Sequence, residues 1–285
     1  MPNLNALEPG AMFWATPDPV AAIQEAKSLG VRCGQLGIPG DLPLQGAAAA
    51  AWKAALESEQ FTVITAFCGY TGESYSDIPT VEATVGFIPR ATRAEREART
   101  IEVSDFAAAA GIGGLACHAG FVPENPADPD YIAVRDMIRR ICDHAAGHGQ
   151  TFALETGQEP ADQLLKFFED VDRSNLGINF DPANMILYGS GDPIQALGLL
   201  GRHVISVHAK DGSWPPKGSP KALGIEMPLG QGAVGMELFL AKLKEVKFTG
   251  PLNVEREIED RTQKLKDMKM GVALLRRLVG RLVEG

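Results

Sequence analysis

Thr151-Phe152-Ala153-Leu154-Glu155 and Leu176-Gly177-Ile178-Asn179-Phe180-Asp181 decide the fold. Each is a short, mostly apolar run that ends on an acid, and side chains along a strand point alternately to its two faces. In the first run Ala153 and Glu155 share one face while Phe152 and Leu154 take the other. In the second, Asn179 and Asp181 oppose Ile178 and Phe180. The same sorting recurs twice further on. Ser206, His208 and Lys210 oppose Val207 in Val204 to Lys210, and Asn253 with Glu255 opposes Leu252 and Val254 in Leu252 to Glu255. Strands that are bulky and apolar on one face, small or polar on the other, suit a parallel sheet with helices packed outside and a narrow interior.

Working outward, four more strand candidates precede these: Ala11 to Trp14, Arg32 to Leu36, Phe61 to Phe67 and Gly114 to His118. Each strand is followed by turn residues and then a helical pattern. Asp128-Pro129-Asp130 reads as N-cap, N1 proline and an acid near the helix dipole, and that helix stops at Gly147 and Gly149. Asp192-Pro193, Gly235 and Asp260 open the sixth, seventh and eighth helices. Ala47 to Ala51 is helix-forming composition. Eight β/α units with no composition break predict an α/β fold of a particular kind, a single-domain (β/α)8 TIM barrel over residues 1–285. Two connections, residues 69–92 and 211–232, are too long for simple βα loops and follow strand C-termini, where barrel active sites are built, so both are expected to be active-site loops.

Composition bounds the function. At 285 residues, 45% hydrophobic and 22% charged, the chain can bury a large core. Its net charge of −9 repels phosphate backbones, so no nucleic-acid partner is expected. Met1 to Pro9 carries no basic n-region, and no uncharged apolar run approaches 18 residues, which predicts a cytoplasmic protein without a membrane partner. Cys33, Cys68, Cys117 and Cys142 lie too far apart in sequence for a zinc ribbon or redox dithiol, and read as core residues in a reducing compartment. His144 and His148 stand four residues apart, a spacing that can chelate zinc, but the adjoining Gly147 and Gly149 mark a helix end, and the pair reads as exposed histidines favoured by the C-terminal dipole. Gly111, Gly113 and Gly114 do not have nucleotide-binding spacing.

The inward residues carry the chemistry. A buried carboxylate costs several kcal/mol unless compensated, and here Glu155, Asp181 and Glu255 converge on one mouth with His208. One divalent cation neutralises them directly, and three oxygen ligands with an imidazole suit Mn2+, Mg2+, Co2+ or Zn2+. Separate structural salt bridges would need several buried cations, and Lys210 alone is obvious.

Five motifs then carry a resemblance: Leu154-Glu155-Thr156-Gly157-Gln158, Asn179-Phe180-Asp181-Pro182-Ala183-Asn184, Val207-His208-Ala209-Lys210-Asp211, Pro228-Leu229-Gly230-Gln231-Gly232 and Val254-Glu255-Arg256-Glu257. In this order they resemble the sugar phosphate isomerase/epimerase family, the xylose isomerase-like barrels. The resemblance implies that Glu155, Asp181, His208 and Glu255 are the metal ligands, the four that alternation selects independently. It also implies that Glu155 and Glu255 double as the acid/base pair, and that His118 faces the substrate or an auxiliary metal position. A hydrogen-bonded core role for His118 stays open. Asn184 stands where many relatives have a histidine, which weakens any multi-metal reading and leaves an amide suited to a sugar hydroxyl. Gln158, Asn184 and Lys210 are expected to bind substrate, although Lys210 also reads as the ion-pair partner of a ligand carboxylate.

The function so implied is a metal-dependent isomerase or epimerase of a ketose, sugar phosphate or related hydroxy-carbonyl polyol. It would work by proton abstraction through a metal-stabilised enediolate. The expected partner is a small carbohydrate, with a homo-oligomer plausible from the resemblance. The competing readings are a lyase, dehydratase or hydrolase using the same enolisation, a non-catalytic sugar-binding relative, and an apurinic-site endonuclease. Phe67-Cys68-Gly69-Tyr70 lacks the histidine that a metal cluster would need at the end of the third strand, which disfavours the last.

Overall fold

Strand alternation and helix caps together produce the architecture. The computed structural model describes residues 4–219 and 221–284. Its first half runs β1 (Pro9–Trp14), α1 (Pro19–Ser28), β2 (Cys33–Ile38), α2 (Ala48–Ser58), β3 (Thr62–Cys68), α3 (Ile78–Thr84), α4 (Arg93–Ala110), β4 (Gly114–Cys117) and α5 (Pro129–Gly147). The second runs β5 (Thr151–Glu155), α6 (Ala161–Val171), β6 (Leu176–Phe180), α7 (Pro182–Tyr188), α8 (Pro193–Leu200), β7 (Val204–Ala209), β8 (Asp211–Ser213), β9 (Ile225–Met227), α9 (Met236–Glu245), β10 (Leu252–Val254) and α10 (Arg261–Glu284). β1, β10, β7, β6, β5, β4, β3 and β2 close in that order into one barrel. Every neighbouring pair around it is parallel. The chain is a single-domain TIM barrel with its helices outside.

The two faces divide as alternation requires. Phe152, Leu154, Ile178 and Phe180 are buried in the layer between barrel and helices. There Phe180 stacks on Phe239 of α9 with ring centroids 5.9 Å apart, and burial of each such side chain contributes about 1.5–3 kcal/mol. Ala153 instead packs inside the barrel with Met12, Phe67 and Ala116. Strand limits differ from the sequence reading by one or two residues. His118, Asp181, Lys210 and Glu255 lie just past the last strand residue, where ladder pairing gives way to loop and the side chains crown the barrel.

Helix starts follow the expected chemistry. Asp128 caps α5 by accepting from Asp130 N at 2.7 Å, with Pro129 in the first turn. Asp192 caps α8 in the same manner. The sequence reading placed no helix between β6 and Asp192, but α7 occupies that span, opened by Pro182 and capped by Asp181.

Among the described residues both long connections carry secondary structure. The first holds α3 and is tied down by Glu73, whose carboxylate accepts from Gly86 N at 2.8 Å, and by Arg96, which donates to Thr84 O at 2.7 Å. Gly86 has φ +68, and a Cβ there would sit 2.2 Å from the Ala119 carbonyl carbon. Only glycine lets this loop press against the segment that carries His118. The second forms the antiparallel β8–β9 hairpin, and the Asp211 carboxylate collects the backbone N–H groups of Gly230, Gly232 and Val234 at 2.9 to 3.1 Å. Pro220, inside that connection, and residues 1–3 and 285 of the expected domain lie outside the described residues. Among the described residues no helix is long and apolar enough to cross a membrane, and all four cysteines are free and buried.

Candidate metal centre

The ends of β5, β6, β7 and β10 bring Glu155, Asp181, His208 and Glu255 together, each offering a ligand atom within 4.8 Å of the others. His208 Nδ1 stands 2.7 Å from Glu155 Oε1, 3.1 Å from Glu255 Oε2 and 3.8 Å from Asp181 Oδ2. All four are buried or nearly so. Asp181 spends Oδ1 on capping α7, accepting from Ala183 N at 2.8 Å and Asn184 N at 3.0 Å. Its Oδ2 is buried and has no hydrogen-bond partner, because His208 and Lys210, at 3.8 and 3.7 Å, are too far for one.

Lys210 Nζ sits 3.2 Å from Glu255 Oε2, touches Glu257, and donates to Asn184 Oδ1 at 3.4 Å. His118 Nε2 meets Glu155 Oε2 at 2.8 Å. Electrostatics follow from these contacts. Burial opposes charge on Glu155, but His118 and His208 outweigh it and hold its carboxyl at about 2. Glu255 is likewise held well below the usual range, burial working against His208 and Lys210. Asp181 goes the other way: burial raises it, Lys210 opposes this only in part, and Glu155 and Glu255 add to the rise. His118 is raised to about 9 because Glu155 outweighs its burial. Burial also fails to discharge His208 and Lys210, which the surrounding carboxylates hold well above their ordinary values.

The uncompensated Asp181 oxygen is the point of strain. Three carboxylates and one imidazole nitrogen around a buried, unpartnered oxygen fit a divalent cation, so the cluster could hold a metal ion. Glu155, Asp181, His208 and Glu255 would ligate it.

One supporting residue escaped the sequence reading. Gln35 lies on β2, four strands from β6 in either direction around the barrel, and is fully buried. Its Oε1 accepts from His208 Nε2, and its Nε2 donates to Asn179 Oδ1 at 3.2 Å, where Ser206 Oγ also donates at 2.5 Å. This network fixes the ring orientation that turns His208 Nδ1 toward the carboxylates. The available signal was a lone amide inside the run Cys33–Ile38. Glu257, quoted in a motif but given no role, is a third acid on Lys210, beside Glu255 and Asp181.

Of the expected substrate residues, His118 and Lys210 join the cluster directly, and Asn184 reaches it through Lys210. Gln158 is buried, and neither its oxygen nor its nitrogen has a hydrogen-bond partner of good geometry. Above the acids a cavity of about 210 Å³ is lined by Trp14, Phe67, Tyr75, His118, Lys210 and Glu257, among others. A larger cavity of about 750 Å³, bounded by Lys53, Phe61 and Gly111, opens at the N-terminal end of the barrel wall and contains none of the converging groups.

A family model described as xylose isomerase-like TIM barrel matches residues 23–278, and the chain belongs to that family. It is similar to a xylose isomerase domain protein from Planctomyces limnophilus, with 42% identity, a TM-score of 0.94, and coverage of 98% of this chain and 100% of the other. A xylose isomerase-like TIM barrel protein from Mycobacterium smegmatis in complex with magnesium superposes with a TM-score of 0.69 at 17% identity, covering 91% and 87%. A D-allulose 3-epimerase from Methylomonas sp. in complex with D-allulose does so with a TM-score of 0.67 at 18% identity, covering 100% and 99%. At these two identities the likeness is one of fold. An uncharacterized protein from Methanocaldococcus jannaschii is 28% identical over 152 residues, about half the length of each chain.

Proposed function

We propose that this protein is a divalent-metal-dependent epimerase or isomerase acting on a ketose or related hydroxy-carbonyl polyol. The observation that carries the reading is the convergence of Glu155, Asp181, His208 and Glu255 around the unpartnered Asp181 Oδ2. Bound there, Mn2+, Mg2+, Co2+ or Zn2+ would act as a Lewis acid for negative charge developing on adjacent substrate oxygens.

The chain's own groups supply the rest. Glu155 and Glu255 come from β5 and from the end of β10, on different sides of the mouth, so one removes the proton from the carbon beside the carbonyl and the other returns it. His118 donates to Glu155 Oε2 and orients that carboxylate. Lys210 is the cation beside Glu255 and stabilises charge gathering on the substrate. The buried amide of Gln158, beside the Tyr188 hydroxyl, would bind sugar hydroxyls. Trp14 and Tyr75, each 41% exposed at the cavity rim, offer flat apolar faces to a sugar ring. The loops 69–92 and 211–232 rise from this end of the barrel and would enclose the substrate. A net charge of −9 supports a small-molecule substrate over nucleic acid.

The test is proton exchange in D2O, followed by NMR across a panel of ketoses and keto-inositols with added Mn2+. The wild type should incorporate deuterium at the carbon next to the carbonyl of at least one of them. Glu255→Gln should slow this at least about 100-fold, the scale of one lost acid/base group, while the fold persists. Exchange at the wild-type rate in Glu255→Gln would remove that residue from the base role. No exchange with any substrate, in protein loaded with Mn2+, would overturn the enolisation reading.

A further inference from the structure

On the outer wall, away from the residues that line the barrel mouth, α4 and α5 pack side by side and present a second cluster. In sequence His144 and His148 have a spacing that can chelate zinc but read as exposed histidines at the end of α5. In the structure His144 Nε2 lies 2.8 Å and His148 Nε2 2.9 Å from the same oxygen, Asp105 Oδ1, on α4. The rings stand edge to face with centroids 5.2 Å apart. One histidine is in the last turn of α5 and the other is its C-cap, so the helix places them one turn apart on one side. Asp105 comes from the neighbouring helix, five residues before the end of α4.

We propose that Asp105, His144 and His148 form a surface site for Zn2+ that ties α4 to α5. The three atoms already converge, each within 4.8 Å of the others. Around tetrahedral zinc, with bonds of about 2.0–2.1 Å, ligand atoms stand roughly 3.3 Å apart. The contacts therefore widen by only a few tenths of an ångström to admit the ion. Two imidazoles and a carboxylate are donors that zinc prefers, whereas Mg2+ and Ca2+ prefer oxygen alone. Both Nε2 atoms face Asp105 Oδ1; with zinc bound, each Nε2 would ligate the ion and the ring would carry its proton on Nδ1. The side chains are 57%, 32% and 37% exposed for Asp105, His144 and His148, leaving water to complete the coordination and the ion free to exchange. The Glu97–Arg140 pair, with contacts of 2.6 and 2.8 Å, braces the same two helices and holds their spacing.

The site is separate from the barrel mouth, which makes it testable by difference. Untagged wild type, His144→Gln/His148→Gln and Asp105→Asn are equilibrated in zinc-buffered solution, and bound zinc per chain is measured by elemental analysis. Each variant should hold one zinc fewer than the wild type while keeping wild-type circular dichroism, since the altered side chains lie at the surface and outside the core. Asp105→Asn keeps both imidazoles and removes only the anionic ligand, so it reads metal binding independently of any packing change. Equal zinc content in all three proteins would overturn the proposal.

Discussion

Replacing Lys210 with Met removes an ammonium group from among the mouth carboxylates while nearly preserving the volume of its stem. Lys210 is 2% exposed and stands 3.2 Å from Glu255 and 3.7 Å from Asp181. At an effective dielectric of about 20 these contacts amount to about 5 and about 4.5 kcal/mol of attraction, opposed by several kcal/mol of desolvation for the buried ions. Glu257 is 58% exposed, so its contact adds little. Removing one partner of a buried pair costs about 3–5 kcal/mol, because the remaining carboxylates lose their counter-charge. With an unfolding entropy of about 2.1 cal/mol/K per residue over 285 residues, the melting temperature in EDTA should fall by about 5–8 °C. The raised Lys210 pKa means its contribution is complete below about 10.5 and fades only as pH rises through the raised value, so measurement at pH 7 captures all of it. Because the cluster becomes more negative, K210M should also bind Mn2+ more tightly than the wild type, even as turnover falls. Calorimetry with and without Mn2+ reads both effects. A K210M melting curve that overlays the wild type in EDTA, with unchanged Mn2+ affinity, would refute the compensation argument.

Asp181→Asn should raise the stability of the metal-free protein and abolish its response to Mn2+, since it deletes a buried charge whose burial and repulsion by Glu155 and Glu255 are offset only in part by Lys210, while the amide oxygen can still cap α7. Its sign with pH follows from the raised carboxyl: the wild type binds a proton more readily folded than unfolded, so the penalty appears as pH rises above about 3.8. Urea denaturation should show the variant's advantage at pH 7 and its disappearance below that value. Gln35→Leu should weaken Mn2+ binding by about 10–100-fold without unfolding the barrel, because His208 loses the acceptor that fixes its ring. Isothermal titration with unchanged affinity would mean that His208 is held by its other neighbours.

Much of the mouth was legible because the strand period is two. Glu155, Asp181, His208 and Glu255 each end an alternating run whose opposite face is Phe, Leu, Ile or Val, so local pattern alone turned them inward. Helix openings at Asp128 and Asp192 were equally local, since an N-cap reaches only two or three residues ahead. Gln35 was not legible: its partners Asn179 and His208 lie 144 and 173 residues away. The meeting of Asp105 with His144 and His148 was not legible for the same reason, the acid standing 39 and 43 residues from the histidines on another helix.

Sequence by itself therefore determined which side chains face the barrel interior and in what order along the chain they arrive, because direction along a strand is set by backbone geometry between neighbours. Tertiary structure alone decided which of those side chains meet. Closing eight strands into a ring sets residues four strands apart against each other, and packing α4 on α5 fixes which turn faces which. Both depend on the summed burial of the whole core rather than on any local pattern.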